Sequence, residues 1–172
     1  GAKFDFDKTK WFNQQYLRVK KGDELAELVQ PFVVGKEIEE GFLSAVCELM
    51  KERATFPKDI WKESKFFFDT PGDYDEKTVR KKWKEKTPKI MQELHHLLGG
   101  ISDFNAENIE IAFKAFLEEK ELNFGAVLPS FRVAVTGLGV GPSMFQISAL
   151  LGKAEVLSRI DSAIEKIQKQ WE

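Results

Sequence analysis

The sequence predicts an all-α protein, and three observations carry that prediction. Apolar residues recur at helical three- and four-residue spacing almost throughout the chain. Start and stop signals such as Thr87-Pro88, Gly99-Gly100 and Asn105 punctuate the second half. The only run of strand-like character, Phe131 to Val135, is too short to make a sheet by itself.

In chain order, Asp7 is placed to cap a first helix ending near Arg18, with Trp11, Phe12, Gln15 and Tyr16 spaced for one face. A shorter helix from Asp23 to Phe32 carries Leu25, Leu28, Val29 and Phe32. Lys36 to Arg53 follows, with Phe42, Val46, Leu49 and Met50 at core spacing. Phe56-Pro57 interrupts the pattern. Ile60, Trp61, Phe66, Phe67 and Phe68 then make an aromatic-rich segment before the turn Thr70-Pro71-Gly72-Asp73. That turn is the internal boundary the sequence favours, dividing the chain into helical subdomains 1–73 and 74–172.

In the second half Thr87-Pro88 reads as N-cap and first helical residue, Ile90, Leu94 and Leu97 line one face, and Gly99-Gly100 ends the helix. Asn105 caps the next one, with Phe104 and Ile109 placed as a hydrophobic staple. Ile109, Ala112, Phe113, Phe116 and Leu117 continue as one stripe. Val156, Ile160, Ala163, Ile164 and Ile167 do the same for the last helix.

Composition limits the functions available. With 172 residues the chain can bury one substantial core or two small ones, and 42% hydrophobic residues, 15 Phe and 4 Trp argue for a folded globule. A net charge of -2 gives no global attraction to nucleic acid, so any such contact must be local. Cys47 is the only cysteine, which excludes an internal disulfide and a cysteine-based zinc cluster and favours a reducing, cytoplasmic setting. No apolar run approaches the ~18 residues of a membrane span. The start, Gly-Ala-Lys-Phe-Asp, has no signal-peptide character and no initiator Met, and it reads as the beginning of an excised domain.

Catalytic and metal-binding patterns are not evident. Gly137-Leu138-Gly139-Val140-Gly141 follows an apolar run but lacks the Lys-Ser/Thr of a phosphate-binding loop, so it reads as a helix-terminating turn. His95 and His96 are adjacent, hence about 100° apart on a helix, and cannot grip one metal together. The carboxylates are interleaved with lysines as on solvated helix faces. The sequence therefore predicts no catalytic residue, no metal and no cofactor within this chain. Lys77, Arg80, Lys81, Lys82, Lys84, Lys86 and Lys89 crowd a stretch with few acids. A solvated surface is the common explanation. The functional alternative makes Arg80, Lys81, Lys82 and Lys84 phosphate contacts that position a nucleic acid without reading it.

Two blocks carry a resemblance. Lys3-Phe4-Asp5 with Lys8, Trp11, Asn13, Tyr16 and Leu17 is similar to the segment through which bacterial-type glutamyl-tRNA synthetases enter their anticodon-binding region. Phe131-Arg132-Val133-Ala134-Val135-Thr136-Gly137, Gly141-Pro142-Ser143-Met144-Phe145 and Ala149-Leu150-Leu151-Gly152-Lys153 resemble the C-terminal part of the same family. The resemblance implies a helical cage of two subdomains around the anticodon loop of tRNA(Glu), joined to an N-terminal catalytic domain that uses ATP and Mg2+ to attach glutamate. It also implies a monomer. Neither class I catalytic motif, His-Ile-Gly-His or Lys-Met-Ser-Lys-Ser, occurs in this chain, so by itself the chain is expected to be inactive.

The family's anticodon contacts fall on two places. Arg53, in Met50-Lys51-Glu52-Arg53, matches an arginine at a helix end that reads the third anticodon base. Arg132 matches an arginine associated with the first base and is expected to be exposed at a turn mouth; Gly141, Pro142 and Met144 align with the loop and helix start around it. Gly141 stands where some relatives carry a hydroxyl residue, which leaves only backbone groups there. Outside this resemblance, the same helices suit a freestanding protein-interaction or RNA-binding module without catalysis.

Overall fold

A computed structural model of the chain describes residues 5–169. Lys3 and Phe4 of the N-terminal block lie outside the described residues. Among the latter there are ten α-helices and no strands. Contacts divide the chain into two units, residues 1–68 and 69–172.

The first unit holds α1 (Phe6–Val19), α2 (Gly22–Val29), α3 (Glu40–Met50) and α4 (Pro57–Glu63), with short 3-10 turns at Gln30–Phe32, Lys51–Arg53 and Lys65–Phe67. Asp5, not Asp7, caps α1, its carboxylate accepting from the Lys8 amide at 3.1 Å. The expected helix from Lys36 begins only at Glu40. Its core face is Leu43, Val46, Cys47 and Met50, while Phe42 and Leu49 are half-buried. Helices α2 and α3 approach closely because Gly22 has no side chain: a Cβ there would lie 2.4 Å from the Ser44 carbonyl oxygen. Leu25, Val29, Ile60, Trp61, Phe66 and Phe67 complete this core.

The second unit holds α5 (Glu76–Lys82), α6 (Thr87–Gly99), α7 (Ala106–Glu119), α8 (Phe124–Thr136), α9 (Met144–Leu151) and α10 (Lys153–Lys169). Helix α10 packs on α6 and α8, and α7 on α9. Asn105 caps α7 as predicted, accepting from the Asn108 amide at 2.8 Å. The buried face of α6 is Met91, Leu94 and Leu98; Ile90 and Leu97 sit at its flanks, half-buried. The strand-like run Phe131–Val135 is helical, lying in α8. Its β-branched residues are fully enclosed, and tertiary burial overrides their local preference.

Helix α8 contains Pro129, which has no N–H to give the Gly125 carbonyl one turn back. Lys82 supplies the donor instead, its ammonium reaching the Gly125 oxygen at 2.8 Å. At the other end Gly137 closes the helix in the left-handed region, φ 74°, with its amide bonded to the Val133 carbonyl. The glycine-rich segment is thus the helix stop that the sequence predicts. Asp73 and Pro71 pack against Gly137 so tightly that a Cβ there would meet the Asp73 carbonyl at 2.7 Å.

Candidate nucleic-acid interface

Arg53 ends the 3-10 turn Lys51–Arg53 that extends α3. Three contacts brace this turn. Lys51 pairs with Glu48 at 2.5 Å and donates to the Lys20 carbonyl at 3.0 Å. Arg18 grips Glu52 through its carboxylate at 3.0 Å. The acidic neighbour is thereby taken by Arg18, and Arg53 is exposed with no hydrogen bond or ion pair to another described residue. A guanidinium held on a rigid turn and left unpartnered can donate to an external acceptor without first breaking an internal pair.

Arg132 sits in the last two turns of α8 and differs from its expected position. It is half-buried, and its Nη1 donates to the Pro142 carbonyl at 2.8 Å. The physical reason is Gly141. A Cβ at that position would lie 2.8 Å from Nη1, so the missing side chain gives the guanidinium room to fold back over the loop. Thr136 Oγ1 donates to the Arg132 carbonyl at 2.7 Å, and Ser143 caps α9. Met144 begins α9 with its side chain 1% exposed, so it anchors the loop from within and offers no surface of its own. Gly141 and Pro142 are half-buried beside the arginine.

The four basic residues at the end of α5 are not equivalent. Lys82 is committed to the Gly125 carbonyl. Arg80 pairs with Glu76, and Lys84 donates to the Arg80 carbonyl at 2.7 Å. Lys81 alone of the four is exposed without a partner among the described residues. Next to them Asp75 caps α5, accepting from both the hydroxyl and the amide of Thr78 at 2.5 and 2.9 Å. These bonds, the hydroxyl first, hold its carboxyl below the ordinary value.

The sequence profile of a family described as "Anticodon binding domain" matches residues 24–164. The chain belongs to the anticodon-binding domain family. A glutamate–tRNA ligase of Phocaeicola vulgatus is 44% identical over 170 residues, 98% of this chain and 34% of the relative. One from Flavobacterium psychrophilum is 43% identical, with 95% of this chain and 33% of the relative aligned. The crystal structure of a glutamate tRNA ligase from Elizabethkingia meningosepticum in complex with its amino acid superimposes with TM-score 0.90 and 37% identity, covering 97% of this chain and 34% of that one. The chain therefore spans about a third of the length of the relatives it matches.

Within this anticodon-binding domain, α1 lies ahead of the matched profile. Leu17 is its one buried residue, and the opposite face carries Trp11, Phe12, Tyr16 and Val19, all exposed. The spacing of the aromatics identified a face correctly, but that face points to solvent. His95 pairs with Asp161 at 3.2 Å, His96 is exposed, and no cluster of three metal-ligating residues occurs among the described residues. Among the same residues, no helix is long and apolar enough to cross a membrane. Phe56, at the start of α4, is an exposed aromatic that sequence reasoning passed over. Its signal was an apolar residue directly before Pro57, where a helix start favours an oxygen-bearing side chain.

Proposed function

We propose that this chain is the anticodon-binding domain of a glutamate–tRNA ligase, with Arg53 reading the third anticodon base of tRNA(Glu) and Arg132 serving the first. The observation that carries the proposal is the exposed, unpartnered guanidinium of Arg53 on its braced turn, inside the matched profile. Unpaired anticodon bases are read on their Watson–Crick edges by hydrogen bonds. Cytosine, the third anticodon base for glutamate, offers the acceptors O2 and N3. Guanine, the third base of the glutamine anticodons, presents N1–H and N2–H donors instead. Arginine only donates, so guanine's donors would face its own. Such a mismatch costs enough for discrimination of ~100-fold or more.

ATP, Mg2+ and the attachment of glutamate belong to the remaining two thirds of such an enzyme, a cytoplasmic monomer in this proposal. The exposed face of α1 is where that upstream catalytic part rests: it carries the exposed Trp11, Phe12, Tyr16 and Val19, precedes the anticodon-binding profile, and lies within the region aligned with the longer relatives. Pro142 and Gly141 present backbone groups beside Arg132, and Lys81 supplies a phosphate contact. The test is the ratio of charging efficiencies of the full-length enzyme for tRNA(Glu) and tRNA(Gln). It should favour tRNA(Glu) strongly, and Arg53→Gln, which offers donor and acceptor together, should relax it. A ratio that Arg53→Gln leaves unchanged removes Arg53 from the reading site.

A further inference from the structure

Phe56 occupies the N-cap position of α4, where Ser, Thr, Asp or Asn would satisfy a free helix amide and where a phenyl ring can accept nothing. Asp59 compensates in part, its carboxylate accepting from the Phe56 and Thr55 amides at 2.8 and 3.2 Å. The ring is only half covered in return: Phe56 is 48% exposed and makes no ring contact with another described aromatic residue. Its backbone is nonetheless stiff. Ala54 is buried, Thr55 accepts from the Gln14 amide nitrogen at 3.3 Å, and Pro57 fixes the first helical residue. A planar apolar surface is thus held rigidly in solvent, three residues beyond the free guanidinium of Arg53. Three residues span at most about 11 Å of extended backbone, so one unpaired RNA loop can touch both.

We propose that Phe56 is a stacking platform for an unpaired nucleobase adjacent to the one Arg53 contacts. The proposal rests on the assignment of Arg53 to the anticodon loop and adds a second subsite to it. Stacking and edge recognition are different interactions. An aromatic face accepts any base, so Phe56 supplies affinity without base preference, whereas Arg53 supplies the preference. A ring on a braced backbone loses little freedom on binding, which suits a platform that must be in place beforehand.

The test exploits the conflict between fold and site at this position. The chain is titrated with a stem-loop RNA bearing the glutamate anticodon, and with the same RNA carrying guanine as the third anticodon base. Melting temperatures are recorded in parallel. Phe56→Ser installs a capping hydroxyl, so it should melt higher than the native chain yet bind both RNAs about 10-fold more weakly, with the cytosine-to-guanine ratio unchanged. Phe56→Trp should bind at least as tightly as the native chain. Native affinity in Phe56→Ser overturns the platform while leaving Arg53 in place. Absence of a cytosine preference in the native chain, with Phe56→Ser still weakened, removes the reading by Arg53 and keeps the platform. No binding of either RNA by the native chain overturns both.

Discussion

Lys82 donates its ammonium to the carbonyl of Gly125 at 2.8 Å, the acceptor that Pro129 leaves without a helical partner. A lysine that looks like part of a basic patch is therefore part of the repair of a proline-interrupted helix. Its neighbour Lys81 carries no such duty.

The two lysines should separate cleanly on substitution. Lys82→Met is expected to lower stability by about 1 kcal/mol, the net worth of one charge-assisted bond at an accessible carbonyl, and to leave the salt dependence of tRNA binding unchanged. Lys81→Met should leave stability unchanged and reduce the slope of log K against log salt by about 1, the signature of one lost phosphate contact. Urea denaturation and a salt series of tRNA titrations measure both. Equal slopes for Lys81→Met and the native protein would remove Lys81 from the RNA surface.

Arg132 serves its own loop as well as any ligand, so its removal has two consequences. Arg132→Ala should cost about 1 kcal/mol of stability, because the Pro142 carbonyl loses its donor. It should also weaken tRNA binding by on the order of 10-fold, measured under conditions where the variant is fully folded. Gly141→Ala places a Cβ 2.8 Å from Nη1, closer than the two can stay, and turns the guanidinium away. The flexible end of an arginine yields cheaply, so the steric cost is small, but the bond to Pro142 is lost here too; stability should fall by no more than about 1 kcal/mol while tRNA affinity changes. If tRNA binding is native in both folded variants, the Arg132 corner is a component of the fold only.

Asp75 makes part of the stability dependent on acid. Its carboxylate is held below the ordinary value by the Thr78 hydroxyl and amide, so the folded state binds its proton less readily than the unfolded chain. The stabilisation is fully present above about pH 4, the unfolded value, and is lost as pH falls through the lowered folded one. Asp75→Ala should be less stable than the native chain by about 1 kcal/mol at pH 7, and the gap should close on acidification toward pH 3. Urea midpoints across that range decide the matter. A gap independent of pH would mean that the ionised carboxylate is not the capping group.

Cys47 is fully buried in α3, and burial pushes its thiol up to about 12. At pH 8 only about one thiol in ten thousand is then ionised, and that one is inaccessible. A thiol reagent at pH 8 should label the folded chain only as fast as the first unit opens. It should label the urea-unfolded chain at the rate of a free cysteine. Rapid labelling of folded protein would show that α3 is not packed as described.

Much of this protein is written locally, and what is written locally was legible in its sequence. The Asn105 cap, the Gly137 stop, the break at Pro57 and the stripe of α10 each depend on residues a few positions apart. The all-α class, the resemblance to an anticodon-binding region and the location of Arg53 at a helix end follow from such signals. Tertiary structure decided which face of each element meets water and which charges remain free. The aromatics of α1 are correctly periodic, yet only packing partners determine that they lie outside and Leu17 within. Arg132 is half-buried because Gly141, nine positions later, clears its path to Pro142. Lys82 is occupied because a carbonyl 43 residues away lacks a donor. Hydrogen-bond satisfaction and burial are properties of neighbours in space, and chain separation does not predict them.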